Sequence, residues 1–177
     1  MWNRLRTTLK HLWLDESDTR RLITPEVLER LARHVAASEL RHTGEIRIYV
    51  EASLPPGYLW RHLWHKTSIE VLARQRAMIV FGKLRVWDTE YNNGLLIYLL
   101  LAEREIELVA DRGVNAVVSQ ADWQVMVGRL GAAFAAGRFE DGLVQAVDEV
   151  SRPLLEHFAL QRRTRNANEL PDAPELG

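Results

Sequence analysis

Residues 94–102, GLLIYLLLA, leave the chain few choices of fold. The segment is apolar almost throughout and shows neither helical spacing nor alternation. Its apolar part, 95–102, is far short of the roughly twenty residues a membrane-spanning helix needs. A strand of this composition has to be covered on both faces, which is the position of a central strand in an α/β sheet. A polar loop, RVWDTEYNN, leads into it, and a tight turn at 102–105 leads out into a second strand, 105–110, that alternates and closes on Asp111-Arg112-Gly113. Antiparallel pairing of the two strands sets the start of the first beside the end of the second. Asp88, Asn92 and Asn93 then share a sheet edge with Asp111 and Arg112.

The flanking pattern fits an α/β sheet. Residues 45–51 alternate, with Ile46, Ile48 and Val50 on one face, and read as a half-buried strand. Its start, Gly44-Glu45, would reach the same sheet edge. Pro55-Pro56-Gly57 breaks it, and a helix over 68–84 buries Ile69, Leu72, Ala73, Ala77, Val80, Phe81 and Leu84. Strand, helix and strand make a right-handed parallel unit. Earlier, Thr24-Pro25-Glu26 opens a helix that runs to about Leu40. Later, Ser119 with Asp122 forms a short-armed capping box for a helix burying Trp123, Met126, Val127, Leu130 and Phe134 and ended by Gly137. A last helix covers 139–158, where Pro153 is expected to kink or restart it. Residues 114–118 read as a short strand or a connection. The order defines an α/β protein, a three-layer α/β/α sandwich with a small mixed sheet.

Three regions follow. Residues 1–21 are an N-terminal amphipathic helix and a polar spacer with the character of a hinge. Residues 22–160 are the α/β domain. Residues 161–177, QRRTRNANELPDAPELG, have almost nothing to bury and are expected to be disordered. In the N-terminal helix Trp2, Leu5, Leu9, Leu12 and Trp13 fall on one stripe, with Arg4, Arg6 and Lys10 largely off it. That stripe suits a helix lying on an anionic membrane surface, and equally a helix docked on its own domain.

Composition narrows the chemistry. A chain of 177 residues fits one domain. A formal net charge of −1 provides no long-range field to draw in nucleic acid. With no cysteine there is no disulfide, no thiolate nucleophile and no cysteine-ligated zinc. No segment is long and apolar enough to be a transmembrane helix. The basic N-terminus is not followed by an apolar core with a cleavage site. The expected location is cytoplasmic, with a peripheral place at the inner membrane open to the N-terminal helix.

Phosphate-cradling, dinucleotide, nucleophile-elbow and H-E-x-x-H motifs are all missing. His62 and His65 lack a third ligand in reach, and His11, His34, His42 and His157 show no pairing. The hairpin edge remains. Asp88, Asn92, Asn93 and Asp111, with Asp122 following closely, are hard oxygen donors that suit Ca2+ or Mg2+. Arg112 and a helix N-terminus would favour an anion such as phosphate. A cation polarising a phosphoryl oxygen, with Asp88 or Asp111 activating water, is a coherent phosphatase arrangement. Asp and Asn are also turn formers that satisfy their own loop backbone, and the cluster contains no nucleophile and no histidine. Whether the domain is an enzyme is left open.

The run RVWDTEYNNGLLIYLLLAEREIELVADRGV, the helix opening at ADW and the later AAGRFEDGLVQAV together resemble the TPM-domain family, named after a thylakoid-lumen protein, a photosystem II protein and a nematode receptor-auxiliary protein. The resemblance spans residues 25–158. It implies an α/β/α sandwich and, for some members, phosphatase activity or divalent-metal binding in an acidic pocket beside the sheet. Asn93 and Gly94 match the family's NG, Gly113 the glycine that closes the paired strand, and Asp122 an aspartate early in the next helix. Asp88, Asn92, Asp111 and Arg112 fit a short bacterial branch reading VWDTE-x-NNG and VADRG. That branch is similar to proteins encoded beside LemA-type membrane proteins, which implies a membrane-protein partner. Two functions are therefore expected: a divalent-metal-binding, phosphatase-like domain acting on a phosphorylated substrate, or a non-catalytic interaction module for a membrane-protein partner in envelope maintenance.

Overall fold

The computed structural model describes residues 2–14, 16–160 and 168–177, apart from the side chains of Trp2, Asn3, Leu5, Leu12 and Glu16. Along the chain run α1 (Trp2–Trp13), α2 (Glu16–Leu22), α3 (Pro25–Glu39), β1 (Ile46–Glu51), α4 (Pro56–Trp64), α5 (Ile69–Lys83), β2 (Leu95–Leu100), β3 (Glu105–Ala110), α6 (Arg112–Asn115), α7 (Gln120–Ala135), α8 (Phe139–His157) and β4 (Glu175–Leu176). The sheet order is β3-β2-β1-β4. β1 runs parallel to β2 with Ile46 opposite Leu95, and β2 pairs antiparallel with β3 with Leu95 opposite Ala110. The entry to β2, the entry to β1 and the exit from β3 therefore lie at one end of the sheet, as expected.

The two faces of the sheet hold separate cores. Ile46, Ile48, Val50, Leu95, Ile97 and Leu99 pack with residues of α3, α7 and α8, among them Leu31, Val35, Leu130, Phe134 and Leu143. Tyr49, Leu96, Tyr98 and Leu100 pack with Leu59 of α4 and with Leu72, Ala73, Ala77 and Val80 of α5. The fold is the expected three-layer α/β/α sandwich. Every residue of β2 is buried, as its unbroken apolar run requires.

β1 departs from the half-buried strand its alternation suggested, because all six of its residues are buried. Its two charged residues stay inside through specific partners. Glu51 accepts two bonds from Arg76 Nε, at 3.0 and 2.9 Å, and one from Tyr98 Oη at 2.6 Å. The Arg47 guanidinium donates to the carbonyls of Pro171 and Ala173 and pairs with Glu175. Those partners also overturn part of the expected disorder at the C-terminus. Leu170 is buried, and β4 adds to β1 in parallel, so β1 becomes an interior strand. Residues 161–167 lie outside the described part of the chain.

Other expectations are corrected as well. The polar spacer before Leu22 is the helix α2, with Thr19 fully buried, rather than a hinge. Pro55-Pro56-Gly57 breaks the strand but also opens α4, because proline suits the first helical turn. Of the two readings of residues 114–118, the connection holds, and the single turn α6 (Arg112–Asn115) opens it. α8 runs on through Pro153 without restarting.

Candidate functional site

The end of the sheet where β2 begins is built on two close backbone approaches. A β-carbon on Gly94 would lie 1.8 Å from the carbonyl oxygen of Val86, so the loop before β2 can lie against the strand entry only if residue 94 has no side chain. A β-carbon on Gly113 would lie 2.5 Å from the carbonyl oxygen of Asn92. The Gly113 N–H donates to that oxygen at 2.9 Å, and the Asp111 N–H donates to Gly94 O, also at 2.9 Å. Asn92 has a φ of 53°, a left-handed conformation that asparagine tolerates. Loop and hairpin exit are thus stitched together through main chain, and glycine is needed at both crossings.

The side chains follow from this frame. Asn93 is 1% exposed; its N–H donates to Thr89 Oγ1 and its Nδ2 to Thr43 Oγ1, both at 3.0 Å. Asp111 caps α6, with Oδ1 accepting from the Arg112 N–H at 2.7 Å. Arg112 Nε donates to Asn92 Oδ1 at 2.8 Å. Two buried acceptors remain, Asn93 Oδ1 and Asp111 Oδ2, and neither has a hydrogen-bond partner among the described residues. Buried oxygens are rarely left so.

Two of the expected ligands are engaged elsewhere. Asp88 is exposed and pairs with Arg85, Oδ2 to Nη2 at 2.5 Å. Asp122 completes the capping box of α7, accepting from Ser119 Oγ at 2.6 Å. It also lines a groove of about 440 Å³ between α7 and α8, with Arg129, Glu149 and Arg152. Asp88, Asn92, Asn93 and Asp111 do not line that groove. Hence Asn92, Asn93, Asp111 and Arg112 are brought to one sheet end, Asp88 is exposed in the preceding loop and paired with Arg85, and Asp122 belongs to another surface. Among the described residues no group of three or more histidine or acidic side chains is arranged to hold a metal. His62 is buried, with Nδ1 2.8 Å from the carbonyl of Thr67, and His65 is exposed, so they form no ligand pair.

A second acidic group stands behind the same sheet edge. Glu45, whose carbonyl accepts from the Leu95 N–H at 2.8 Å, is 1% exposed, and its Oε2 accepts from the Leu170 N–H at 3.2 Å. Burial holds its carboxyl above the usual range. Glu39 accepts from the Ile46 N–H at 2.7 Å and is pushed up to about 9, by burial first and then by the charges of Glu45 and Asp172. The sequence signal for Glu39 is its spacing, four residues beyond Val35 on the buried stripe Val27, Leu31, Val35 of α3.

Comparison with known proteins agrees with this architecture. The model of the TPM domain matches residues 17–152. The chain belongs to the TPM-domain family. The structure is similar to the NMR structure of BA42 protein from the psychrophilic bacterium Bizionia argentinensis, at 25% identity and a TM-score of 0.71, over 87% of this chain and 94% of that one. No curated protein matches the chain.

Proposed function

We propose that the hairpin edge is a divalent-cation site of oxygen donors within a phosphatase-like domain, centred on Asn93 and Asp111. One observation carries the reading: Asn93 Oδ1, next to Gly94 in the chain, and Oδ2 of Asp111, whose N–H donates to Gly94 O across the strand pair, are buried acceptors with no hydrogen-bond partner among the described residues. A carboxylate oxygen left so is costly, and a hard cation would satisfy both. An amide and a carboxylate oxygen suit Ca2+ or Mg2+, whose remaining positions water can fill. Asp88 and Asn92, from the loop that leads into β2, are the candidates for outer ligands, and Asp88 with Asp111 for water activation. Arg112 would face an incoming phosphoryl group, whose oxygen a bound cation would polarise.

The test is thermal denaturation with and without millimolar CaCl2 or MgCl2. The cation should raise the melting temperature of the wild type, and Asp111→Asn, which retains the Oδ1 cap of α6, should abolish the rise. No rise, or an equal rise in the variant, would overturn the cation site. Cation-dependent hydrolysis of p-nitrophenyl phosphate that falls in both Asp88→Ala and Asp111→Asn would support the phosphatase reading. Hydrolysis unchanged in both would overturn it.

The alternative, a non-catalytic module for a membrane-protein partner, is favoured by a different observation. Trp13, Trp60 and Trp64 are exposed on α1 and α4. These helices lie toward the β2–β3 turn, where Lys10 pairs with Glu103, at the end of the sheet away from the hairpin edge.

A further inference from the structure

α1 turns two polar residues, Thr8 and His11, toward the domain and two apolar ones, Leu9 and Trp13, toward solvent, the reverse of an ordinary surface helix. Thr8 and His11 are 9% and 2% exposed, whereas Leu9 and Trp13 are 54% and 83% exposed. The inward bonds are polar ones. Arg4 donates from Nη1 to the carbonyl of His62 at 2.6 Å and from Nη2 to that of Lys66 at 3.0 Å. His11 Nδ1 accepts from the Leu54 N–H at 3.1 Å, and His11 Nε2 lies 3.3 Å from Glu103. Because Arg4 meets the end of α4 and His11 meets the residue just before its start, the two helices lie side by side and antiparallel.

α4 turns aromatic rings outward in the same way. Trp60 and Trp64, 59% and 66% exposed, stand one helical turn apart with ring centroids 5.1 Å from each other. Arg6 on α1, Arg61 on α4 and Lys66 just beyond α4 are exposed as well. Residues 2–13 and 55–67 together contain Arg4, Arg6, Lys10, Arg61 and Lys66 and no acid. With 23 basic and 24 acidic residues in the chain, the remainder has 18 against 24, so a segment charge of +5 faces a remainder of −6.

We infer that the outward face of α1 and α4, with Leu9, Trp13, Trp60 and Trp64 at its centre, binds the surface of an anionic phospholipid bilayer. Exposed tryptophans with neighbouring Arg and Lys form the side-chain set that settles at a membrane–water interface, and a local positive charge is attracted to anionic headgroups. A helix lying flat with its apolar stripe outward inserts that stripe to the level of the headgroups. Charge complementarity selects a lipid surface over a second copy of the chain, since the exposed Arg6, Arg61 and Lys66 of two copies would repel one another. The inference is independent of the cation site. It narrows the interaction-module reading by making lipid itself a binding partner.

The test is flotation of the full chain with protein-free vesicles of phosphatidylglycerol and phosphatidylcholine, in EDTA and at low salt. The wild type should float with anionic vesicles, stay behind with pure phosphatidylcholine and be released by 0.5 M NaCl, where a Debye length of about 4 Å screens surface charge. The variant Trp13→Ala/Trp60→Ala/Trp64→Ala should float about tenfold less. Arg6→Glu/Arg61→Glu should also lose binding, with circular dichroism unchanged in both. Failure of the wild type to float, or equal flotation of the tryptophan variant, would overturn the inference. So would a concentration-dependent dimer that disappears in the tryptophan variant. Failure on protein-free vesicles with retention on membranes containing their proteins would overturn the lipid face alone and leave the protein-partner reading intact.

Discussion

Gly94 and the carbonyl of Val86 are so close that a β-carbon at residue 94 would stand 1.8 Å from the oxygen. The contact is backbone against backbone, so no rotamer change can relieve it. Gly94→Ala is expected to cost about 3–5 kcal/mol or to prevent folding, as severe strain at a fixed backbone does. Gly128 is the control. It is exposed within α7 and has nothing within 4 Å of a would-be β-carbon. Gly128→Ala should therefore stabilise by about 0.5–1 kcal/mol through helix propensity. Urea unfolding of both variants measures the contrast, and a Gly94→Ala protein of wild-type stability would refute it.

Glu39 and His42 set the response to pH. The folded chain holds Glu39 at about 9, above its ordinary 4.5, so it keeps a proton that the unfolded chain has released. This contribution is complete below 4.5 and is lost as pH rises toward 9. His42, pushed down to about 4 by burial from 6.5, works in the opposite direction: its contribution is present above 6.5 and is lost as pH falls toward 4. Between 4.5 and 6.5 the two oppose each other. Above 6.5 Glu39 acts alone of the pair, and stability should fall toward pH 9 by at most ~1.4 kcal/mol per unit. Glu45, also raised by burial, contributes in the same direction as pH rises. Glu39→Gln keeps an acceptor for the Ile46 N–H and should flatten the decline. Urea midpoints at pH 6.5 and 8.5 for both proteins check it, and equal declines would exclude Glu39 as the cause.

Arg76 neutralises the buried Glu51. Besides the Nε bonds, Nη2 donates to Glu51 Oε1 at 2.6 Å. Burial, and then the charge of Glu51, pushes the Tyr98 hydroxyl far up, which keeps it a donor to that carboxylate. Arg76→Met strands a charge that is 4% exposed and should cost about 3–5 kcal/mol. Adding Glu51→Gln removes the stranded charge while retaining an acceptor for Tyr98. The double variant should therefore be more stable than Arg76→Met alone by ~1 kcal/mol or more. A double-mutant cycle in urea reads the coupling, and additive effects would show that Arg76 does not compensate Glu51.

What could be read from the residues divides along physical lines. β1, β2 and β3 and their pairing were legible because an unbroken apolar run and two alternating runs admit few alternatives. That the loop before β2 lies beside the exit of β3, with the Asp111 N–H on Gly94 O, followed from the antiparallel turn. α4 was hidden because Pro-Pro-Gly signals a break and a helix start alike. The stripe on α1 was visible, but spacing alone does not say which side of a helix faces inward. Ser119 and Asp122 were read correctly as a capping box, and that bond is what commits the Asp122 carboxylate away from the site. β4 has two residues and no apolar pattern, since what holds it in place is supplied by β1.

That dependence gives the last prediction. Arg47 lies in the sheet with a side chain only 2% exposed. Its recorded partners, the carbonyls of Pro171 and Ala173 and the carboxylate of Glu175, all belong to the C-terminal segment. Glu45 likewise accepts from the Leu170 N–H, and the Gly177 N–H donates to Val50 O at 2.9 Å. Ending the chain after residue 167 removes all of these partners, leaves a buried guanidinium uncompensated and exposes β1 as an open edge, a template for intermolecular pairing. The truncated chain should lose about 3–5 kcal/mol and aggregate on heating. Truncation combined with Arg47→Val, a residue suited to a buried strand, should recover part of the loss. Light scattering during a thermal ramp, beside urea unfolding, separates the two effects. A truncated protein as stable and as soluble as the full chain would show that the C-terminal segment rests on the sheet without supporting it.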